Sequence, residues 1–200
     1  MTLDNSTQAF LALVRAGLWE ADTQLLPYGN IDLKEVYRLA QEQSVVGLVA
    51  AGIEHVVDCK IPKEDALQFV GNALQLEQRN LAMNQFVAKL IGSLRKEDVY
   101  AILVKGQGIA NCYERPLWRA SGDVDLFLSD TNYQKAFLYL EPLASRVGEE
   151  ELYKKHIPLS IYNWEVELHG TLRSGLWENL IECLMTFRIL FFMEGMFVLG

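Results

Sequence analysis

The chain is short of positive charge and of cysteine. Its 18 Lys and Arg stand against 26 Asp and Glu, a formal net charge of −8 over 200 residues. Broad binding to nucleic acid is driven by Lys and Arg neutralising phosphates, so bulk nucleic acid is a poor partner, although a local basic pocket stays open. Cys59, Cys112 and Cys183 are odd in number and far apart. That spacing fits neither a disulfide framework nor a zinc motif, and the three read as reduced thiols of a cytoplasmic protein. Met1 to Phe10 lacks a basic stretch followed by an apolar run, so no signal peptide is expected. Internal repeats and low-complexity linkers are missing as well. Long apolar runs are confined to Leu184–Leu199, which is short for a membrane span and is interrupted by Arg188 and Glu194. It reads as a buried or partner-seeking helix rather than a membrane anchor, and self-association through it is one use. A chain that stops early, leaving a core helix without its partners, would look the same.

What is present is apolar: half the residues are hydrophobic, enough for one core or a small core with a helical appendage. Residues 1–97 read as a helical N-terminal region. Between Ile31 and Gly52, Leu33, Val36, Tyr37, Leu39 and Ala40 recur at helical spacing, and Gly52 closes the stretch. Pro62 opens a long helix with the stripe Ala66, Phe69, Ala73, Leu76, Asn80, Met83, Val87, Leu90 and Leu94, a core-facing pattern. Residues 98–175 change character. Val99–Val104 is a β-type run ended by Lys105-Gly106, Gln107–Tyr113 can form a short helix, and Glu114–Gly122 is a loop with Arg115, Pro116, Trp118 and Arg119. Asp123–Leu128 is a second strand, and Thr131–Leu140 a helix capped near Ser129–Thr131. Ile157–Leu168 is one strand or a hairpin. Residues 176–200 form the apolar helical segment. The expected fold class is α+β, with a helical region followed by a small mixed sheet flanked by helices.

The chemistry concentrates in Lys105-Gly106-Gln107-Gly108 and in Arg119-Ala120-Ser121-Gly122-Asp123-Val124-Asp125-Leu126-Phe127-Leu128. Residues i and i+2 of a strand share a face, so Asp123 and Asp125 lie side by side. Their mutual repulsion is removed by a divalent cation, and carboxylates together with phosphate oxygens are the usual surroundings of Mg²⁺. This suggests a metal-dependent site for a nucleoside triphosphate. The competing account is a polar strand entrance exposed to water. The bare Asp-x-Asp is weak by itself, because dehalogenase nucleophiles and glycosyltransferase metal sites also use it. There the apolar run precedes the acids; here it follows them, after a glycine turn.

That order resembles the polymerase-beta-like nucleotidyltransferase superfamily: a strand, a glycine turn, Asp-x-Asp opening the next strand, and a third acid later. KGQGIANCYERPLWRASGDVDLFL more closely resembles the uncharacterised bacterial nucleotidyltransferase family, and Val166-Glu167-Leu168-His169 is similar to its acid-Leu-His element. The likeness covers about residues 98 to 172 with specific motifs and extends more loosely over the helical part. Gly106-Gln107 stands where the superfamily usually has Gly-Ser, and the third acid is Glu. The resemblance implies a nucleotidyltransferase-type sheet and transfer of a nucleoside monophosphate from an NTP to a hydroxyl of a small molecule or a protein. An inactive or truncated nucleotide-binding or protein-interaction module is the alternative.

The resemblance also distributes roles. Asp123, Asp125 and Glu167 would be catalytic and hold two Mg²⁺ ions. Glu167 has a plain alternative as a surface acid, since Glu165 shares its face. Gly106 and Gln107 would let backbone approach the phosphates, and Lys105 and Arg119 would offset their charge. Ser121 and Gly122 would position the metal-bearing strand. His169 would orient Glu167 or touch substrate, with a structural role equally open. Trp118 and Trp164 read as packing residues. His55 and His156 show no constellation in the sequence.

Overall fold

The computed structural model describes residues 3–151 and 155–171. They fall into two units that interleave along the chain. One contains the residues up to Gln85 together with Ile109–Ser121; the other contains Phe86–Gly108 and the described residues from Gly122 onward. The apolar run Leu184–Leu199 and the rest of segment 176–200 lie outside the described residues. Among the described residues, no helix is long and apolar enough to cross a membrane.

The first unit is helical. Helix α1 (Asn5–Trp19) starts at Asp4, whose carboxylate accepts the Thr7 backbone N–H. Helix α2 (Leu33–Glu42) starts the same way at Asp32, which accepts from the Lys34 and Glu35 backbone. The continuous helical reading of Ile31–Gly52 is corrected here. A left-handed Ser44 (φ 55°) ends α2, and α3 (Val46–Glu54) begins anew. Gly52 does not close α3; it lets α1 approach. A Cβ on Gly52 would stand 2.1 Å from the Leu13 carbonyl oxygen, and one on Gly17 would stand 1.9 Å from that of Leu48. Phe10, Leu13, Val36, Ala40, Val49 and Phe69 form the core.

Helix α4 (Lys63–Lys96) follows Pro62 as the periodicity predicts, and it buries Phe69, Ala73, Asn80, Met83, Val87, Leu90 and Leu94. In the second unit come β1 (Ala101–Val104), the first three residues of α5 (Gly106–Ala110), β2 (Asp123–Leu128), α6 (Asp130–Leu140), β3 (Arg146–Val147), β4 (His156–Ile161) and β5 (Trp164–His169). Ser129 caps α6 by accepting from the Asn132 backbone.

The five strands form one sheet in the order β1-β2-β5-β4-β3. Only the β2–β5 pair is parallel; the other pairs are antiparallel, which makes the sheet mixed. The strand-or-hairpin alternative resolves as a hairpin turning at Tyr162-Asn163, with Tyr162 at φ 54°. The strands alternate as half-buried strands should. Val124, Leu126 and Leu128 of β2, Ile157, Leu159 and Ile161 of β4, and Val166 and Leu168 of β5 share a buried apolar face. Each such side chain contributes about 2 kcal/mol by leaving water. Helix α6 packs on β2 and β5. The opposite face carries the polar residues of the same strands.

Candidate functional site

The registers decide which polar residues meet. Parallel pairing of β2 with β5 sets Asp125 opposite Glu167 and Asp123 opposite Glu165. Antiparallel pairing of β4 with β5 sets Pro158 opposite Glu167 and His156 opposite His169. Asp123, Asp125, Glu167, His169 and His156 therefore share one face across three strands.

Carboxylate oxygens of Asp123, Asp125 and Glu167 lie within 4.8 Å of one another. Of the two acids on β5, Glu167 joins the aspartates, while Glu165 accepts from Ser160 Oγ at 2.6 Å and lies 3.6 Å from Arg146. The centre of the group is Asp125, which is fully buried. Its Oδ1 accepts from Lys105 Nζ at 2.7 Å and lies 2.8 Å from His169 Nε2. Its Oδ2 is buried and has no hydrogen-bond partner among the described residues. Leaving such an oxygen unpaired costs on the order of 1–3 kcal/mol, more for a charged group. Burial pushes the Asp125 carboxyl up, but the hydrogen bonds from His169 and Lys105, with their charges, outweigh it and hold the pKa below the usual aspartate value. Lys105 is raised in turn, chiefly by its hydrogen bond to Asp125, against the opposing effect of burial, with the Asp125, Glu167 and Asp123 charges adding in the same upward direction.

The three acids fit a hard divalent cation. They supply oxygen donors from two adjacent strands, and the unpaired Asp125 Oδ2 is the kind of atom a cation satisfies.

Lys105 reaches Asp125 from a turn in which it adopts φ 52° and Gly106 adopts φ 22°. A left-handed lysine costs about 1–2 kcal/mol relative to its ordinary conformations. Helix α5 then folds back on β1, close enough that a Cβ on Gly108 would stand 2.5 Å from the Leu103 carbonyl oxygen. Gln107 is buried, so backbone rather than side chain is what it can offer a phosphate. Gly122 has open space where a Cβ would be, and close packing does not explain the glycine there.

Arg119 and Ser121 belong to the helical unit and precede Asp123 by four and two residues in the chain. Arg119 Nη1 donates to the Ala120 carbonyl and to Ser121 Oγ, and its buried Nε has no hydrogen-bond partner among the described residues. Sequence reading missed what holds this loop. Asn80, counted in the apolar stripe of α4, donates to the Leu117 and Arg119 carbonyls at 2.7 and 2.8 Å. An Asn inside an otherwise apolar stripe was the available signal. Arg115 binds Glu20 and Glu54, and Trp118 Nε1 donates to Glu77.

The expectation that His55 and His156 stand without a constellation is corrected. His55 Nε2 lies 2.7 Å from Glu20 Oε2, within the Arg115 network. His156 Nε2 lies 3.1 Å from Glu167 Oε2, and its ring faces that of His169 at 4.9 Å between centroids. Nothing local announces the second arrangement, which depends on the β4–β5 register. Trp164 packs as expected, stacked on Phe86.

A family model described as "Uncharacterised nucleotidyltransferase" matches residues 29–183, and no curated protein and no solved structure matches the chain.

Proposed function

The chain belongs to the uncharacterised nucleotidyltransferase family, and from that premise we propose that it is a metal-dependent nucleotidyltransferase. It moves a nucleoside monophosphate group from an NTP to a hydroxyl of a small molecule or a protein. The observation that carries this reading is the convergence of Asp123, Asp125 and Glu167 on one sheet face, with a buried Asp125 Oδ2 that has no hydrogen-bond partner among the described residues. Those three residues would hold two Mg²⁺ ions, which when bound would neutralise the triphosphate and acidify the attacking hydroxyl.

The acceptor oxygen forms a bond to the α-phosphorus, the bond from that phosphorus to the bridging oxygen breaks, and pyrophosphate leaves. The hydroxyl proton passes to the Glu167 carboxylate or to water. Lys105 sits on Asp125 and is exposed over most of its side chain, so it can swing to a phosphate oxygen and offset its charge. The Lys105-Gly106 turn brings backbone close to the phosphates. Catalysis of this kind rests on positioning and charge neutralisation more than on covalent help. The net charge of −8 favours a small or protein acceptor over a long nucleic acid.

The test is calorimetric titration of each NTP into the chain with Mg²⁺ and with EDTA, in parallel with the double variant Asp123→Asn, Asp125→Asn, followed by assay of pyrophosphate release. Metal-dependent binding that the variant loses is the expected result. A folded wild-type chain that binds no NTP would sink the reading and leave a non-catalytic interaction module in its place.

A further inference from the structure

The sheet face that carries the three acids continues into a group with different chemistry. Beyond Glu167 stand two imidazoles, His169 at the end of β5 and His156 at the start of β4. His156 Nε2 lies 3.1 Å and His169 Nε2 lies 3.3 Å from the same oxygen, Glu167 Oε2. The donor atoms of all three residues fall within 4.8 Å of one another. Ligands at about 2.0–2.1 Å from a tetrahedral metal are separated from each other by roughly 3.3 Å, so both nitrogen–oxygen separations match the edge of such a site.

The surroundings suit ligation too. The three side chains are between 16 and 25% exposed, sheltered but reachable. A ligating histidine needs its other nitrogen held, commonly by a carboxylate. Paired backbone at Glu151 and His156 brings Glu151 Oε1 to 3.6 Å from His156 Nδ1, which puts a carboxylate on the Nδ1 side of the ring while Nε2 faces Glu167. His169 Nε2 lies 2.8 Å from Asp125 Oδ1, and a metal taking that nitrogen would displace the proton of this hydrogen bond.

We propose that His156, His169 and Glu167 form a second cation site beside the carboxylate one, selective for a borderline transition metal such as Zn²⁺ over Mg²⁺. Imidazole nitrogen favours Zn²⁺, Co²⁺ and their neighbours, whereas Mg²⁺ wants six oxygens in an octahedron. Glu167 is common to both sites, so the metal here would fix the carboxylate that the nucleotide site uses. The site stands on its own donor atoms: it can exist if nucleotidyl transfer fails, and transfer can proceed if this site is absent.

The experiment is titration of the full metal-stripped chain with Co²⁺ followed by visible absorption, with Mg²⁺ and Zn²⁺ as competitors, on wild type, His156→Ala and Asp123→Asn. The expected result is a four- or five-coordinate ligand-field spectrum from wild type that persists in excess Mg²⁺ and is displaced by Zn²⁺. Asp123→Asn should keep that spectrum, and His156→Ala should weaken Co²⁺ binding at least about tenfold. A six-coordinate spectrum abolished by Mg²⁺ would overturn the proposal, because the cation then binds oxygens alone. So would a thiolate-to-cobalt charge-transfer band, which would put the metal on a cysteine, or an unchanged affinity in His156→Ala. Should that variant not fold, the wild-type spectrum and the Mg²⁺ competition still decide.

Discussion

Asn80 in the helical unit and Asp125 in the sheet unit are both fully buried polar residues, and their environments are opposites. Asn80 donates to two backbone carbonyls and so fastens the loop that carries Arg119. Asp125 is supported on one oxygen by Lys105 and His169 while its other oxygen has no hydrogen-bond partner among the described residues. A buried polar group that only serves the fold is expected to find its hydrogen bonds. Among the described residues, an unpaired buried oxygen next to two further carboxylates is a cost that folding alone does not explain, and the proposed role of Asp125 in the chemistry rests on that contrast.

Exchanging the two side-chain types tests the contrast. The largest effect belongs to Asp125→Asn. If Asp125 is the shared metal ligand proposed above, its loss should lower nucleotidyl transfer by roughly 10³-fold, the equivalent of several kcal/mol. Stability should hardly change, within about 1 kcal/mol in urea unfolding, because the lysine released is largely exposed and no buried charge is stranded. A stability loss of several kcal/mol with transfer intact would make Asp125 a structural residue and reverse the comparison.

Asn80→Asp is the mirror experiment. It points a carboxylate at the Leu117 and Arg119 carbonyls and should cost about 2–4 kcal/mol of unfolding free energy. Metal binding by the sheet unit's acids should persist in the folded fraction. A variant as stable as wild type would mean that the Asn80 clamp contributes little.

Acid gives the smallest and most specific separation, since Asn80 does not titrate. The folded Asp125 pKa lies below its ordinary value of about 3.9. Its contribution to stability is therefore complete above that pH and is lost as the pH falls through the lowered folded value. Thermal midpoints of wild type should drop between about pH 5 and pH 3, and those of Asp125→Asn should drop less. Equal slopes would show that the carboxylate gains nothing from Lys105 and His169. Glu20 and Glu54, both held low chiefly by their hydrogen bonds to Arg115, lose stabilisation in the same direction and set the common background of both curves.

Much of this was legible in the chain. The three-four stripe after Pro62 specified α4, and Asp-Val-Asp-Leu-Phe-Leu specified a strand with two acids on one side. The Lys105-Gly106 turn and the Ser129 cap were likewise local, because each depends on residues within a few positions. Less legible were the break at Ser44 inside an apolar helical stretch, and the short strand β3, whose two residues carry no period. Gly52 read as helix punctuation, yet it and Gly17 are glycine because α1 and α3 touch there.

The sequence by itself determined most of the elements, the placing of Asp123 and Asp125 on one side of a strand, and the acidic balance, since these follow from periodicity and composition along one stretch of chain. Period two left Glu165 and Glu167 equivalent, and it left His156 alone. Only the tertiary structure chose between the glutamates. The parallel β2–β5 ladder set Glu167 opposite Asp125, and the antiparallel β4–β5 ladder brought His156 to His169. Register is a property of hydrogen bonds between distant segments, here reaching across 44 residues from Asp125 to His169, and a one-residue slip would have turned every one of these side chains to the other face.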